Sequence, residues 1–284
     1  QLFSAQFNPH RVQLHRLIPD GSTFRTEDSD FLTSSDPDFY PTDLEEDADG
    51  SLLLCDTGAW YVDACPISRV AKPEVKGSIY RIVRSGAQPV AGPVVQKIDF
   101  ESLRPDQLIA HLSDNRLQVR NRAFNSVVER GGAMLDSLAY AIINDRSERV
   151  RRNALWAAYQ IGGSASSKAI RAALDDSSLN VRIAAIQALG ELRDDEATPG
   201  IASRLHADSP MERREAARAL GRMGASSATN ALLDASEHAA DRFEEHAIRY
   251  ALIELADNDA LIEALNERGD WSAREAALVA RSEE

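Results

Sequence analysis

Residues 176–190 of this 284-residue chain read DSSLNVRIAAIQALG, and their pattern is typical of one class of fold. Val181, Ala185, Ala188 and Leu189 lie three or four residues apart along one stripe, which is the spacing of a helix with one apolar side. Such a stripe must pack against another element. The polar residues 176–178 before it read as a turn, so the stretch predicts the second helix of a packed pair.

The same pattern returns every 31 residues. One column always holds alanine, a second holds arginine and a third is aliphatic: Ala123, Ala154, Ala185, Ala216 and Ala247; Arg120, Arg151, Arg182 and Arg213; Leu112, Ile143, Leu174 and Leu205. A period of this length is typical of stacked helical pairs, and alanine lets two helices approach closely. We therefore predict an all-α solenoid of about five to six helical pairs over residues 104–284.

Residues that typically begin or end helices agree with this division into helical pairs. Pro105 falls in the first turn of the first predicted helix, where proline costs no hydrogen bond. Trp156 and Trp271 fall in second helices, where we expect them to fill gaps in the core. Glycines lie at or near the predicted ends of second helices, where a left-handed residue satisfies free carbonyls: Gly131, Gly132, Gly162, Gly163, Gly190 and Gly224.

Residues 176–190 match, at every position, the D-x-x-x-x-V-R-x-x-A-x-x-A-L-G pattern of short HEAT-like repeats. The chain resembles that family over roughly residues 104–281. The resemblance implies a solenoid scaffold, and such scaffolds serve many different partners.

An acidic and a basic residue recur six positions apart in four units: Asp114 and Arg120, Asp145 and Arg151, Asp176 and Arg182, Asp208 and Arg214. One interpretation is a row of guanidinium groups that binds phosphates or carboxylates. The HEAT-like resemblance implies the interpretation that we favour. It is a structural ladder, in which each turn aspartate accepts from an arginine of its own or a neighbouring unit.

Composition limits the function. The formal net charge is −13, which weighs against nucleic acid because binding to phosphates draws on Lys and Arg. No apolar run approaches 18 residues, so no transmembrane segment is predicted. The chain begins at Gln1, and its last unit stops at residue 284 inside an expected second helix, so we expect a fragment of a longer protein.

Residues 1–85 have a different texture, with short alternating strands at 2–7, 11–18, 51–56 and 78–83. Turn signals at 19–22 and 47–51 separate them. We predict an antiparallel β segment equivalent to one or one and a half β-propeller blades. Residues 86–103 are rich in Gly and Pro and are predicted to be a linker, whose end from residue 94 to 100 is extended.

The sequences DADGSLLLCDTG, residues 47–58, and GSIYRI, residues 77–82, resemble the end of a sugar-dehydrogenase-type propeller. A closer likeness is to the PVC-type membrane-bound dehydrogenase family, in which a propeller precedes HEAT-like repeats and a c-type haem segment. The resemblance implies an exported protein, periplasmic or at the cell surface. It also implies a parent enzyme that oxidises sugars or alcohols with haem c or a quinone.

The chain departs from that family in ways that bear on function. It contains no C-x-x-C-H, so it cannot attach haem covalently, and Tyr40 stands where a histidine is expected. We assign no catalytic residue. We expect a non-catalytic segment whose second helices dock a protein partner or a neighbouring domain. The alternative is that the β segment contributes to a dehydrogenase active site.

Two further features of the β segment leave alternatives open. Glu45, Asp47, Asp49 and Asp56 have the spacing of a calcium loop, but a plain turn with solvated acids fits the flanking strands better. Cysteines stand at positions 55 and 65. Cys55 and Cys65 could form a disulfide in an exported protein, or Cys55 could be a buried thiol.

Overall fold

The structure is a computed structural model that describes residues 2–47, 49–58, 75–86, 98–255, 257–267, 269 and 271–282. The chain divides into two compact units. The β unit comprises residues 1–19, 24–99 and 115–119, and the helical unit comprises residues 20–23, 100–114 and 120–284. The predicted fold class, antiparallel strands followed by an all-α solenoid, is confirmed.

Six strands form two three-stranded sheets in the described part of the β unit. The sheet orders are β1-β2-β3 and β4-β5-β6, and the pairs β1–β2, β4–β5 and β5–β6 are antiparallel. Val12, Phe39 and Leu54 are the buried centre of this unit. The strands are β1 Leu2–Gln6, β2 Arg11–Asp20, β3 Thr23–Thr33, β4 Pro41–Glu46, β5 Leu52–Gly58 and β6 Lys76–Ile82.

All four predicted strands are present, as β1, β2, β5 and β6, whereas β3 and β4 were missed. Strand β3, TFRTEDSDFLT, is exposed at nearly every position, so it shows no alternation of apolar and polar residues that a sequence pattern could reveal. The predicted turn before β5 is confirmed, with Gly50 at φ +79°. A propeller blade has four strands, and each sheet has three in the described residues, so the propeller stays a prediction.

Twelve α-helices form six consecutive pairs in the described part of the helical unit. The second helix of each of the first five pairs is 14 residues long. The pairs are α1 Pro105–Ala110 and α2 Leu117–Arg130, α3 Leu135–Asn144 and α4 Glu148–Ile161, α5 Ser164–Ala172 and α6 Leu179–Leu192, α7 Thr198–Ser203 and α8 Pro210–Met223, α9 Thr229–Ser236 and α10 Arg242–Leu255, and α11 Asn258–Glu267 and α12 Trp271–Ser282.

The alanine column belongs to the buried core of the helical unit. Ala123, Ala154, Ala185 and Ala216 are fully buried, and Ala247 is 5% exposed. Helices α4, α6, α8 and α10 contact one another in that order, and a larger side chain in this column would hold them apart. The alanine repeat therefore marks a position inside the close-packed core of each described unit.

The aliphatic column has one exception. Ile143 is 58% exposed, whereas Ile142 beside it is 1% exposed and takes the core position. Helix α3 stays α-helical to Asn144, while the equivalent residues of three other pairs lie in tighter 3-10 turns, which rotate the side chain inwards. These turns are His111–Ser113, Ala173–Asp175 and Arg204–His206.

One of the predicted helix-ending glycines has another role. Gly162 and Gly224 end α4 and α8 with positive φ, as predicted. Gly190, however, is buried inside α6, and Arg193 at φ +50° caps that helix instead. A Cβ atom at Gly190 would lie 2.9 Å from the Cβ of Ala219 in α8, so this glycine permits close packing of the two helices.

The end of the predicted linker is ordered. Arg130 of α2 donates to the carbonyls of Phe100, Glu101 and Leu103 at 2.8, 2.9 and 2.8 Å. The guanidinium of Arg122 lies 4.9 Å from the centroid of the Phe100 ring. The rest of the predicted linker, residues 87–97, lies outside the described residues. Within the described part of the chain, no helix combines the length and the apolar character that crossing a bilayer requires.

Candidate functional site

The ladder arginines brace consecutive helical pairs. Arg151 donates through Nη1 to the backbone carbonyl of Asp145 in its own turn, at 2.9 Å. Its Nε and Nη2 donate to the carboxylate of Asp176 in the next pair, at 2.7 and 2.8 Å. The turn aspartate therefore accepts through its carbonyl from the arginine of its own unit, and through its carboxylate from the arginine of the preceding unit.

The acidic partner changes along the solenoid. Arg182 donates to the Asp176 carbonyl at 2.8 Å, but its carboxylate partner is Glu212, at 2.9 and 2.8 Å. Arg213 likewise binds Glu244, at 2.6 and 3.0 Å. Both glutamate side chains are 1% exposed. Glutamates in the second helices replace the turn aspartate because the residue 31 positions after Asp176 is an alanine.

The predicted pair of Asp208 and Arg214 is wrong. Arg213 holds the ladder position, donating to the carbonyls of Ala207 and Asp208 at 2.8 and 3.2 Å. Arg214 instead pairs with its neighbour Glu215 at 2.8 Å. The 31-residue period of the alanine column points to position 213, whereas the fourth turn carries its aspartate one position late.

The first predicted pair meets in the same manner as the second. Nη1 of Arg120 donates to the backbone carbonyl of Asp114 at 2.6 Å. The structure thus places the ladder arginines against carbonyls of their own turns. Arg151, Arg182 and Arg213 also bind carboxylates, those of Asp176, Glu212 and Glu244 respectively. Because these three guanidinium groups are already paired, they do not form a surface for phosphate ligands.

Ionisation follows from this pairing. Burial alone would raise the pKa of Asp176, but hydrogen bonds from Arg151 and from the Ser178 backbone N–H outweigh burial and lower the pKa. The Asp176 hydrogen bond raises the pKa of Arg151. Both residues are therefore charged throughout the physiological pH range.

The acidic side chains of the proposed calcium loop do not converge. Arg81 of β6 forms ion pairs with Asp47 at 2.7 Å and with Asp49 at 3.0 Å. Asp56, near the far end of β5, instead accepts from the backbone N–H groups of Tyr40 and Gly58 at 2.8 and 2.9 Å. Four residues of strand separate Asp56 from the start of β5, about 13 Å. Within the described residues no cluster of His, Cys, Asp and Glu is suited to a metal ion.

Cys55 lies in β5 and is half-buried. Cys65, its predicted partner, lies outside the described residues, and the disulfide stays a prediction.

A Ser–His–Asp chain of hydrogen bonds, which no sequence motif predicts, crosses the first sheet. His15 Nε2 lies 2.7 Å from Ser4 Oγ, and its Nδ1 lies 2.8 Å from Asp28 Oδ1. The hydrogen bond from His15 is the main reason that the pKa of Asp28 is lowered. The Asp28 side chain is 45% exposed, so water competes with this bond. We interpret the chain as a cross-strand network that pins the register of β1, β2 and β3.

A cavity of about 380 Å³ opens between the second helices α4, α6 and α8. Trp156 and Tyr159 form one wall, with ring centroids 5.6 Å apart in edge contact. Arg218 and Arg222 of α8 form another part of the lining. Its volume lies within the range of ligand sites. Trp156 is half-buried and lines this cavity, which corrects the expectation that it fills the core.

A second cavity, of about 280 Å³, continues the first along α8 and α10. Arg218 lines both cavities. Phe243 and Tyr250 are 41% and 52% exposed there, and His246 stacks on Tyr250 with ring centroids 6.2 Å apart. We call the two cavities together the second-helix groove; its lining is Trp156, Tyr159, Gln187, Gly190, Glu191, Arg214, Glu215, Arg218, Ala219, Arg222, Phe243, His246, Ala247 and Tyr250.

Glu215 organises the centre of the groove. Its side chain is only 5% exposed. It accepts from Gln187 Nε2 at 3.1 Å, from Arg214 at 2.8 Å and from Arg218 at 3.1 Å. Burial alone would raise the pKa of Glu215, but these hydrogen bonds and the neighbouring arginines lower it. A buried carboxylate thus holds two arginines in place at the groove.

The sequence predicts that the second helices dock a partner, but it does not identify the residues that line the groove, because they occupy a variable column of the repeat. Trp156, Gln187 and Arg218 are 31 residues apart, so they are equivalent positions on successive second helices. A search for constant columns finds the packing positions. The signal that could have identified the groove is a repeat position whose residue is large in each unit but changes in chemistry, as at Trp156, Gln187 and Arg218.

Residues 167–253 match the family described as HEAT repeats. Among solved structures, the chain is similar to the complex of CpcE and CpcF of phycocyanin lyase from Nostoc sp., with 22% identity, 69% of this chain and 79% of that chain covered, and a TM-score of 0.43. It is also similar to human deoxyhypusine hydroxylase in complex with glycerol, with 21% identity, 53% and 62% covered, and a TM-score of 0.39. A search of curated proteins finds no match. The family match runs from α5 to α10, so it includes α6, α8 and α10 of the groove.

Proposed function

We propose that this chain is a non-catalytic scaffold that binds a protein partner in the second-helix groove. The observation that supports the proposal is the set of exposed aromatic and arginine side chains on a rigid row of helices. Tyr250 and Phe243 are 52% and 41% exposed, and Arg218 is 50% exposed. Trp, Tyr and Arg are the residues that contribute most to binding at protein interfaces.

The lining also lacks the arrangement that catalysis needs. Its one buried carboxylate, Glu215, is held by Gln187, Arg214 and Arg218, so it is engaged rather than poised to take a proton. The aromatic side chains lie at both ends of the groove with the arginines between them. This layout suits an extended ligand that contacts several repeats in turn.

A selection of random linear peptides displayed on phage tests this function. The full chain is immobilised, and the enriched peptides are then measured on two matched variants. We expect binding to be lost in the Trp156→Ala, Tyr250→Ala double variant. It should persist in Tyr140→Ala, which removes an aromatic ring that is 71% exposed on α3, outside the groove. Circular dichroism melting checks that all variants fold. Enrichment of no peptide, or equal binding to the double variant, would overturn the proposal.

We propose further that the chain is the propeller-to-repeat region of an exported, dehydrogenase-like protein. The support is the sequence likeness at residues 47–58 and 77–82, together with the order of strands before helical repeats. This chain's own residues do not fit covalent haem, since C-x-x-C-H is absent, and Asp47 and Asp49 are both paired with Arg81.

The parent function is tested on the protein as its own cells produce it. Purification from membrane and periplasmic fractions, followed by a haem absorption spectrum and a dye-linked assay with sugars and alcohols, should show a redox group and substrate oxidation. Recovery of the protein in the cytoplasmic fraction without a redox group would contradict both the location and the parent activity. That result would leave the peptide-binding proposal intact.

A further inference from the structure

We infer that the segment bound in the second-helix groove is acidic and extended, with apolar side chains at its ends. The inference rests on the proposed function and specifies the chemistry of the partner. Its basis is the charge of the groove. The lining contains three arginines, Arg214, Arg218 and Arg222, and two glutamates, Glu191 and Glu215. Three arginines and two glutamates give the lining a formal charge of +1, whereas the whole chain has a formal net charge of −13.

The two glutamates do not cancel this charge equally. Glu215 is 5% exposed and accepts hydrogen bonds from Gln187, Arg214 and Arg218, so its negative charge is shielded from a ligand in the groove. Arg218 is 50% exposed and uses only Nη1 to reach Glu215 within the described residues, which leaves Nε and Nη2 for a ligand. A guanidinium fork with two open donors fits a carboxylate in a bidentate manner. Arg222 and Glu191, both more than two fifths exposed, pair at the rim.

The first helices show the opposite charge. A cavity of about 380 Å³ there is lined by Asp106, Asp136 and Asp145 together with Tyr140, and it contains no Lys or Arg. The same helical unit therefore offers an acidic cavity on its first helices and an arginine-rich groove on its second helices. An acidic segment is repelled from the first surface and attracted to the second, which gives the groove its selectivity.

The length and the ends of the segment follow from the helix spacing. The groove runs from α4 to α10 through α6 and α8, three steps of 8 to 10 Å, or about 24 to 30 Å. An extended peptide advances about 3.3 Å per residue, so about eight residues span the groove. Its ends meet Trp156 and Tyr159 on α4 and Phe243 and Tyr250 on α10, where apolar side chains can be buried.

The test uses the peptides enriched on the full chain and three synthetic probes. We expect the enriched peptides to be rich in Asp and Glu. The probes are fluorescein-labelled peptides of one sequence, Leu and Trp alternating with Glu, Gln or Lys, and their binding is followed by fluorescence anisotropy. The Glu peptide should bind at least about tenfold more tightly than the Gln and Lys analogues, and salt should reduce this difference.

Two matched variants locate the effect. Arg218→Gln should weaken binding of the Glu peptide about tenfold and leave binding of the Gln analogue unchanged. Arg146→Gln, which removes an exposed arginine in the turn before α4, should change neither. Equal affinity for Glu and Gln peptides, or enrichment of neutral or basic sequences, would overturn the acidic partner while peptide binding itself stands. Self-association of the chain that Arg218→Gln abolishes would instead show that a second copy occupies the groove and would also overturn the inference.

Discussion

Arg151 donates two parallel hydrogen bonds to Asp176 of the next helical pair, at 2.7 and 2.8 Å. The side chains are 11% and 7% exposed, so the ion pair is shielded from water. Because Arg151 also binds the carbonyl of Asp145, one guanidinium joins its own turn to the next. The relative position of the two pairs is thereby fixed by charge as well as by apolar packing.

Loss of the Asp176 charge should destabilise the solenoid. Asp176→Asn keeps the shape but leaves a buried guanidinium without its anion, and we expect a loss of about 2 to 3 kcal/mol in the free energy of unfolding. Urea unfolding followed by circular dichroism measures it. The control is Asp175→Asn, whose side chain is 84% exposed in its pair with Arg204 and should cost less than about 1 kcal/mol. Equal costs for the two variants would show that burial of the pair is unimportant.

The coupling between Arg182 and Glu212 should be large for the same reason. Glu212 is 1% exposed and accepts two hydrogen bonds from Arg182. A double-mutant cycle with Arg182→Gln and Glu212→Gln should give a coupling energy of about 2 kcal/mol in urea unfolding. The rim pair of Arg222 and Glu191, 41% and 44% exposed, provides the control cycle, with about 0.5 kcal/mol expected. A coupling energy for Arg222 and Glu191 as large as that for Arg182 and Glu212 would contradict the claim that burial strengthens the ion pair.

The sequence was sufficient for the repeat and its alanine column, because Ala154 and its equivalents lie in a close-packed core, but in the aliphatic column Ile142 and not Ile143 is buried. It was insufficient for the partners of the ladder. Glu212 occupies the repeat position that is Val150 and Val181 in the two preceding units, so the sequence pattern predicts an apolar residue there. Its role as the partner of Arg182 is evident only from the structure. Contacts between units depend on the stacking geometry, and no single-sequence pattern records them.

The sequence does not identify the residues that line the groove or strand β3, for two different physical reasons. Trp156 and Arg218 hold equivalent positions but differ in chemistry, because a position on the open face of a second helix is not held to the small size that a packing column requires. Most side chains of strand β3 are exposed, although Leu32 packs against the buried cluster of Val12, Phe39 and Leu54, so its formation depends largely on hydrogen bonding to a neighbouring strand. Both features arise from tertiary context.

Enlarging Gly190 should push α6 and α8 apart. A Cβ atom there would lie 2.9 Å from the Cβ and 3.0 Å from the Cα of Ala219. We expect Gly190→Ala to lower the free energy of unfolding by about 1 to 3 kcal/mol, despite the higher helix propensity of alanine. Gly132→Ala is the matched control, since its Cβ would meet nothing within 4 Å, and it should be neutral or slightly stabilising. A stabilising Gly190→Ala would mean that the helices can separate without cost.

Acid should remove the contribution of Glu215. Its pKa is lower in the folded chain than its usual value of 4.5, so it stabilises the fold above that pH. This stabilisation is lost as the pH falls through the lower, folded pKa. Glu215→Gln should therefore be less stable than the original chain at pH 7, by about 1 to 3 kcal/mol, with the difference shrinking below pH 4.5. Thermal melting at a series of pH values measures this convergence, and Glu191→Gln at the exposed rim should show little difference at any pH. A difference that stays constant down to pH 2 would show that the shape of Glu215, and not its charge, holds Arg214 and Arg218 at the groove.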